Sequence, residues 1–430
     1  MSDRRSAQGK INAAGQTAPA LNPRARLHFL FLNIGHFLDH LFTLIFATVA
    51  ALVLSREWGL SYAELIPYAT PGFVAFGLFS LPSGWLADRW SREGMIAVFF
   101  IGIGIAAIAT SFASSPMEIA IGLFVVGVFA AIYHPVGLAL VAEEQRGLGM
   151  AIAINGVWGN LGVGSAALIT GFLIDVASWH AAFAVPGAVS IAIGLAYLAL
   201  FHQRIRLRAR RTEKAAGPGG RVEAKAIDPA VRALLIRLTI LVFFTAAVGS
   251  LIFQSTTFAL PKVFEERLGG IAGSATIIGA LAFLVFAVGS LAQLVVGASL
   301  DRFGPRTIFA VVVTIQLVFF AAMPGLVDWA ALVVALAFMI GAFGQIPIND
   351  YLIGRTAKSE LRASVYGARY VVTFTVLAAT LPFISWVHAN HGFDTLFRVL
   401  AGASVALLAA VWLLPNRLPG TEPANPTVKP

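Results

Sequence analysis

Between Asn33 and Thr43 the chain reads NIGHFLDHLFT, which sets two imidazoles and a carboxylate within one short stretch. At 100° per residue, Asn33, His36, Asp39, His40 and Thr43 fall within an arc of about 120° on one helix face. A carboxylate beside imidazoles can take up and release protons near neutral pH. Two histidines at i and i+4 beside an aspartate also make part of a divalent-metal site. The plain alternative is a helix-to-helix clamp in which these groups satisfy one another. A third histidine, His134, precedes Pro135, and the proline frees a backbone carbonyl next to a titratable ring.

The element that carries this face has to cross a membrane. Of 430 residues, 58% are hydrophobic and only 12% are charged, too few charges to cover a water-facing surface of this size. Twelve apolar runs long enough for a bilayer lie near 27–54, 63–86, 93–113, 117–142, 148–174, 179–201, 233–259, 272–299, 306–326, 329–352, 363–387 and 394–414. The predicted fold class is therefore an all-α membrane protein of twelve transmembrane helices. At 1.5 Å per residue, Asp39 sits about 18 Å into the first helix, near the midplane. An ionisable group at that depth is a functional-site hypothesis by default.

The net charge of +9 lies in short loops, so nucleic acid is not an expected partner. With the N-terminus inside, only Arg56, Lys262, Arg267 and Arg398 face out, Arg237 and Arg369 lie within helices, and the remaining Lys and Arg are cytoplasmic. The expected organisation is a cytoplasmic tail over 1–26, a six-helix bundle over 27–201, a basic linker over 202–232, a second bundle over 233–414 and a tail over 415–430. Lipid is an expected partner, and the linker charge serves topology first. The chain has no cysteine, so disulfides and thiolate metal sites are excluded.

The two bundles echo each other. GWLADRWSR at 84–92 recurs 213 residues later as GASLDRFGPR at 297–306, each after the second helix of its half. YHPV at 133–136 matches QIPI at 345–348 in the fourth helix of each half. Together these imply two parallel six-helix repeats, an arrangement suited to alternating access around a site between them. The paired G-x-x-x-D-R loops with trailing basic residues resemble the signature of the major facilitator superfamily. That resemblance implies a secondary transporter, a monomer, whose gate residues are Gly84, Asp88, Arg89 and Arg92 with Gly297, Asp301, Arg302 and Arg306. The first half is also similar to the fosmidomycin resistance proteins, through His36 with Asp39 and His40, the His134-Pro135 pair, and Gly159-Asn160-Leu-Gly162. Where that family carries an acidic residue and an arginine after the His-Pro pair, this chain has Val136, Gly137 and Leu138.

The fifth helix alternates Asn155, Trp158 and Asn160 with Gly156, Gly159, Gly162 and Gly164, a small-residue stripe fit first for close packing, with the asparagines as candidate substrate donors. The second half offers Gln254, Gln293, Gln345, Asn349 and Arg369; the glutamines suit interhelical hydrogen bonds, and Arg369 suits either an anionic solute or a gate pair with Asp350. No phosphate-cradling G-x-x-x-x-G-K-[ST] is present, so nucleotide does not power the protein. The expected function is proton-coupled secondary transport of a small solute, with no cofactor, no catalytic residue and no resident metal. A divalent-metal transporter and a membrane-embedded enzyme are the alternatives, and direction of transport stays open.

Overall fold

Backbone amides have no water to bond within a bilayer, so each apolar run closes its own hydrogen bonds as a helix. The computed structural model describes residues 23–144, 148–215, 229–356 and 362–415. The first half comprises α1 (Pro23–Glu57), α2 (Tyr62–Arg89), α3 (Arg92–Thr110), α4 (Pro116–Val141), α5 (Leu148–Val176) and α6 (Trp179–Ala215). The second comprises α7 (Pro229–Arg267), α8 (Ala275–Phe303), α9 (Pro305–Ala322) and α10 (Asp328–Ile353), followed by the 51-residue stretch Arg362–Trp412. That stretch turns at Gly392, whose φ of 70° is open to glycine and costly for other residues, and so supplies two legs, α11 (362–391) and α12 (393–412). Among the described residues eleven continuous helices are long and apolar enough to span a membrane, and the bend at Gly392 reconciles them with twelve crossings. Large apolar side chains such as Leu78, Ile105, Phe112 and Val295 are exposed, as lipid contact requires.

Helix reaches into both ends of the expected linker. Helical backbone continues in α6 to Ala215 and resumes at Pro229, because the basic stretch that follows Phe201 has no breaker before Gly217. Residues 1–22, 216–228 and 416–430, which hold most of the expected tails and the middle of the linker, lie outside the described residues.

The repeat is visible in local geometry. α4 breaks between Ala130 and Tyr133, and α10 breaks at Gln345, each just before the proline of its YHP or QIP motif. The residue at the break is buried in both halves and reaches the first helix of its own half. Tyr133 Oη donates to the Leu32 carbonyl oxygen at 2.6 Å, and Gln345 Nε2 donates to the Gly249 carbonyl oxygen at 2.9 Å. The signature loops differ instead. Ser91 is extended and its hydroxyl caps α3 by accepting from Gly94 N at 3.1 Å, whereas Gly304 makes the corresponding turn at a φ of 79° ahead of Pro305.

The halves meet along α5 with α8 and α2 with α11. Gly171 packs on the Ala275 carbonyl and Gly279 on the Ala167 carbonyl, an approach closed to any side chain. Phe76 and Phe374 pack across the other seam with ring centroids 4.7 Å apart. Further cross-half contacts gather at the end opposite the chain termini. There Arg56 pairs with Glu265 at 3.2 Å, Tyr62 Oη reaches the Phe258 carbonyl oxygen at 3.5 Å, Ser385 Oγ donates to the Ala63 carbonyl oxygen at 2.6 Å, and Asp175 accepts from Thr276 N at 2.7 Å.

Candidate functional site

The polar face of α1 is held by α4 and α5. His36 Nδ1 lies 2.7 Å from the Asn155 carbonyl oxygen; a carbonyl only accepts, so Nδ1 carries the hydrogen and Nε2 keeps its lone pair. Asn155 Nδ2 donates to Asn33 Oδ1 and to Tyr133 Oη, both at 2.9 Å. The His36 ring stacks on Tyr133 with centroids 5.0 Å apart. Asp39 is fully buried, and its Oδ2 lies 3.4 Å from His134 Nε2; neither carboxylate oxygen has a hydrogen-bond partner among the described residues. The rings of His36, His40 and His134 lie within 5.0 to 5.4 Å of one another. Thr43 turns back to the His40 carbonyl oxygen at 3.0 Å and serves its own helix.

Glycines in α5 let this cluster form. A methyl group at Gly159 would stand 2.6 Å from His36 Nε2, and one at Gly162 would collide with the Phe37 carbonyl. Gly164 packs against Phe286 and Phe283 of α8. Gly156 meets nothing within 4 Å, because it faces a cavity.

That cavity has a volume of about 570 Å³ and lies between the two halves. The first half lines it with His36, His40, His134, Asn155 and Asn160, and the second with Phe253, Gln293 and Arg369 among apolar neighbours. Gln293 Nε2 is buried without a partner among the described residues. Leu138, Ile152, Ala298 and Arg369 sit toward the helix ends on the side of the termini, so the cavity runs from mid-depth to that side. Its composition, apolar with a few convergent polar groups, is that of a small-molecule site.

The other expected site residues lie elsewhere. Asn33 and Asp39 stand behind the cavity wall, supporting it. Gln345 bonds Gln316 and Gly249, and Asn349 Oδ1 accepts from Thr245 Oγ1 at 3.0 Å, so both serve packing inside the second half. Trp158 and Gln254 are half-buried and off the cavity. In the first signature loop, Arg92 Nη2 contacts Asp88 Oδ1 at 2.6 Å, Arg89 covers Trp85 at 4.0 Å, and Gly84 brings α2 against Pro135 of α4. In the second, Arg302 lies over Phe303 and Arg306 over Trp412, while Gly297 opens on the cavity instead of a helix. The side chains of Asp301 and Asp350 lie outside the described residues.

Sequence reasoning passed over Tyr133, Phe253 and Gln316. Tyr133 was within reach through the repeat, since it aligns with Gln345. Nothing in the apolar run around Phe253 marks it out.

A sequence model of the Major Facilitator Superfamily matches residues 32–290 and 268–430. The chain belongs to the major facilitator superfamily. Relatives within it include the gallate transporter of Pseudomonas putida, 26% identical over 60% of this chain and 62% of its own length. The 4-hydroxybenzoate transporter of the same organism is 25% identical over 64% of this chain and 66% of its own. The niacin transporter of Acinetobacter baylyi is 31% identical over 39% of each chain. The chain thus matches less than two thirds of the length of each of these relatives. Among solved structures, a D-xylose-proton symporter superposes with a TM-score of 0.67 at 15% identity, covering 90% of this chain and 97% of its own. A peptide transporter superposes with a TM-score of 0.68 at 15% identity, covering 89% and 93%. Both share the fold. This superfamily member is a multi-pass membrane protein.

Proposed function

We propose that the protein carries a small organic acid through the cavity between its halves by alternating access, driven by protons. The observation that carries this reading is the split lining. Imidazoles and amides line one wall, and the Arg369 guanidinium and Gln293 amide line the other, with apolar surface between them. A carboxylate suits the guanidinium, and a flat apolar body suits Phe253 and its neighbours. The named relatives carry gallate, 4-hydroxybenzoate and niacin, all aromatic acids, and this supports the same chemical class here. They do not favour a metal as cargo.

Asp39 supports the proton coupling. It is a fully buried carboxylate at mid-membrane depth whose neighbour is the imidazole of His134, itself part of the cavity wall. A proton moving between them would change the charge of the wall the solute touches and bias the rocking of the halves. The Lys and Arg distribution makes the end bearing both termini cytoplasmic, so the cavity described here is open inward. Asp88, Arg89 and Arg92 with Asp301, Arg302 and Arg306 would then act at the cytoplasmic gate.

Binding of 4-hydroxybenzoate, gallate and niacin to the detergent-purified protein, read by thermal stabilisation, tests the solute class. Arg369→Gln is expected to weaken acid binding about tenfold or more, the worth of a charge-assisted hydrogen bond, while the neutral benzamide gives no shift in either protein. Undiminished acid binding in Arg369→Gln contradicts the reading.

A further inference from the structure

The three cavity histidines are arranged for more than a solute. Each of His36, His40 and His134 offers a ring nitrogen, and these three atoms lie within 4.8 Å of one another. His36 Nε2 is buried with no hydrogen-bond partner among the described residues, and its tautomer leaves a lone pair there. Such an orphan inside a protein calls for an explanation, and a missing Lewis acid is one.

We propose that His36, His40 and His134 bind one borderline-soft divalent ion of the zinc class, as a ligand of the cavity wall and not as cargo. The supporting groups match what metal-bound histidines need. His36 Nδ1–H donates to the Asn155 carbonyl, which orients that ring, and the Asp39 carboxylate stands 3.4 Å from His134 Nε2, within reach of a supporting contact. Zinc-bound nitrogens in a tetrahedral site lie about 3.4 Å apart, from bond lengths of about 2.0 to 2.1 Å. From a spacing within 4.8 Å the nitrogens would draw together by up to about 1.4 Å, and all three rings border the cavity. Three neutral imidazoles leave the fourth position open to water or to a solute carboxylate, and ion and transported proton then compete for His134, each excluding the other. The donor set excludes calcium and magnesium, which demand oxygen, and the chain holds no cysteine to compete for the ion. His28 is occupied by Tyr197 at 2.8 Å and His388 by Glu266 at 2.9 Å, so neither competes as a free cluster.

The inference needs no transport activity, and its test is separate from the solute reading. Tag-free purified protein is titrated with Co²⁺ and with Zn²⁺ in detergent. The wild type is expected to take one ion and, with Co²⁺, to develop the intense visible d–d bands of a four-coordinate site. His36→Ala, His40→Ala and His134→Ala are each expected to lose the bands. Asp39→Asn, which touches no ion, is expected to weaken binding about 10- to 100-fold as the loss of a supporting group does. His391→Ala, outside the cluster, keeps the wild-type titration. Absence of cobalt bands in the wild type overturns the proposal without any variant. So does one-ion binding that survives His36→Ala or His134→Ala, or that disappears in His391→Ala.

Discussion

At the scale of single residues, Tyr133, Gly162 and Asp39 hold the site in place. Tyr133→Phe removes the donor to the Leu32 carbonyl and an acceptor for Asn155, leaving buried polar groups unpaired at about 1–3 kcal/mol. A lowered thermal midpoint in detergent checks it, and Tyr68→Phe at a half-buried surface position is the comparison. Gly162→Ala forces a methyl group onto the Phe37 backbone and is expected to destabilise by about 1–3 kcal/mol, while Gly156→Ala, facing open space, leaves the midpoint unchanged. Asp39→Asn is expected to abolish gradient-driven accumulation yet retain solute exchange at equal pH, because exchange moves no net proton. The α1 cluster was legible from spacing alone, since five polar residues share one face. That Asp39 sits behind the wall while His36 and His40 form it was not legible, because a helix's own period cannot say which side of a polar arc meets water and which meets α4.

At the scale of elements, breaks and turns do the positioning. The YHP and QIP motifs interrupt α4 and α10 at matching places, and the 212-residue echo announced this in the sequence. The two-legged stretch around Gly392 was legible as separate runs, since polar residues between 388 and 394 divide them. The reach of α6 and α7 into the linker was obscured because its charges read as loop, although arginine and lysine are good helix formers. Trp158 and Gln254 were expected at the site by helix membership, and the rotation of α5 and α7 about their axes puts them off the cavity. Gly304→Ala is expected to destabilise by about 1 kcal/mol because of the positive φ, while Ser91→Gly at the repeat-related turn costs only a few tenths as a cap replacement. Thermal midpoints of the two variants should rank in that order.

At the scale of the molecule, the cross-half contacts gather at one end and the cavity runs to the other. The Arg56 to Glu265 pair is largely exposed on the arginine side and contributes little by itself. Closure at that end comes from the packed seams of α2 with α11 and α5 with α8. Because the chain lacks cysteine, Gly156→Cys places a single thiol in the cavity without collision. A membrane-impermeant maleimide is expected to label it in inside-out vesicles and far more slowly in right-side-out ones, with solute protecting the thiol. The most direct test of the central claim is accumulation of radiolabelled 4-hydroxybenzoate, gallate or niacin in proteoliposomes under a proton gradient. At least one of these acids is predicted to rise above its external concentration, to fall back when the gradient is collapsed, and to be lost in Arg369→Gln. Uptake of none of them, or uptake indifferent to Arg369, would contradict the assignment of the inter-half cavity as the path of an organic acid.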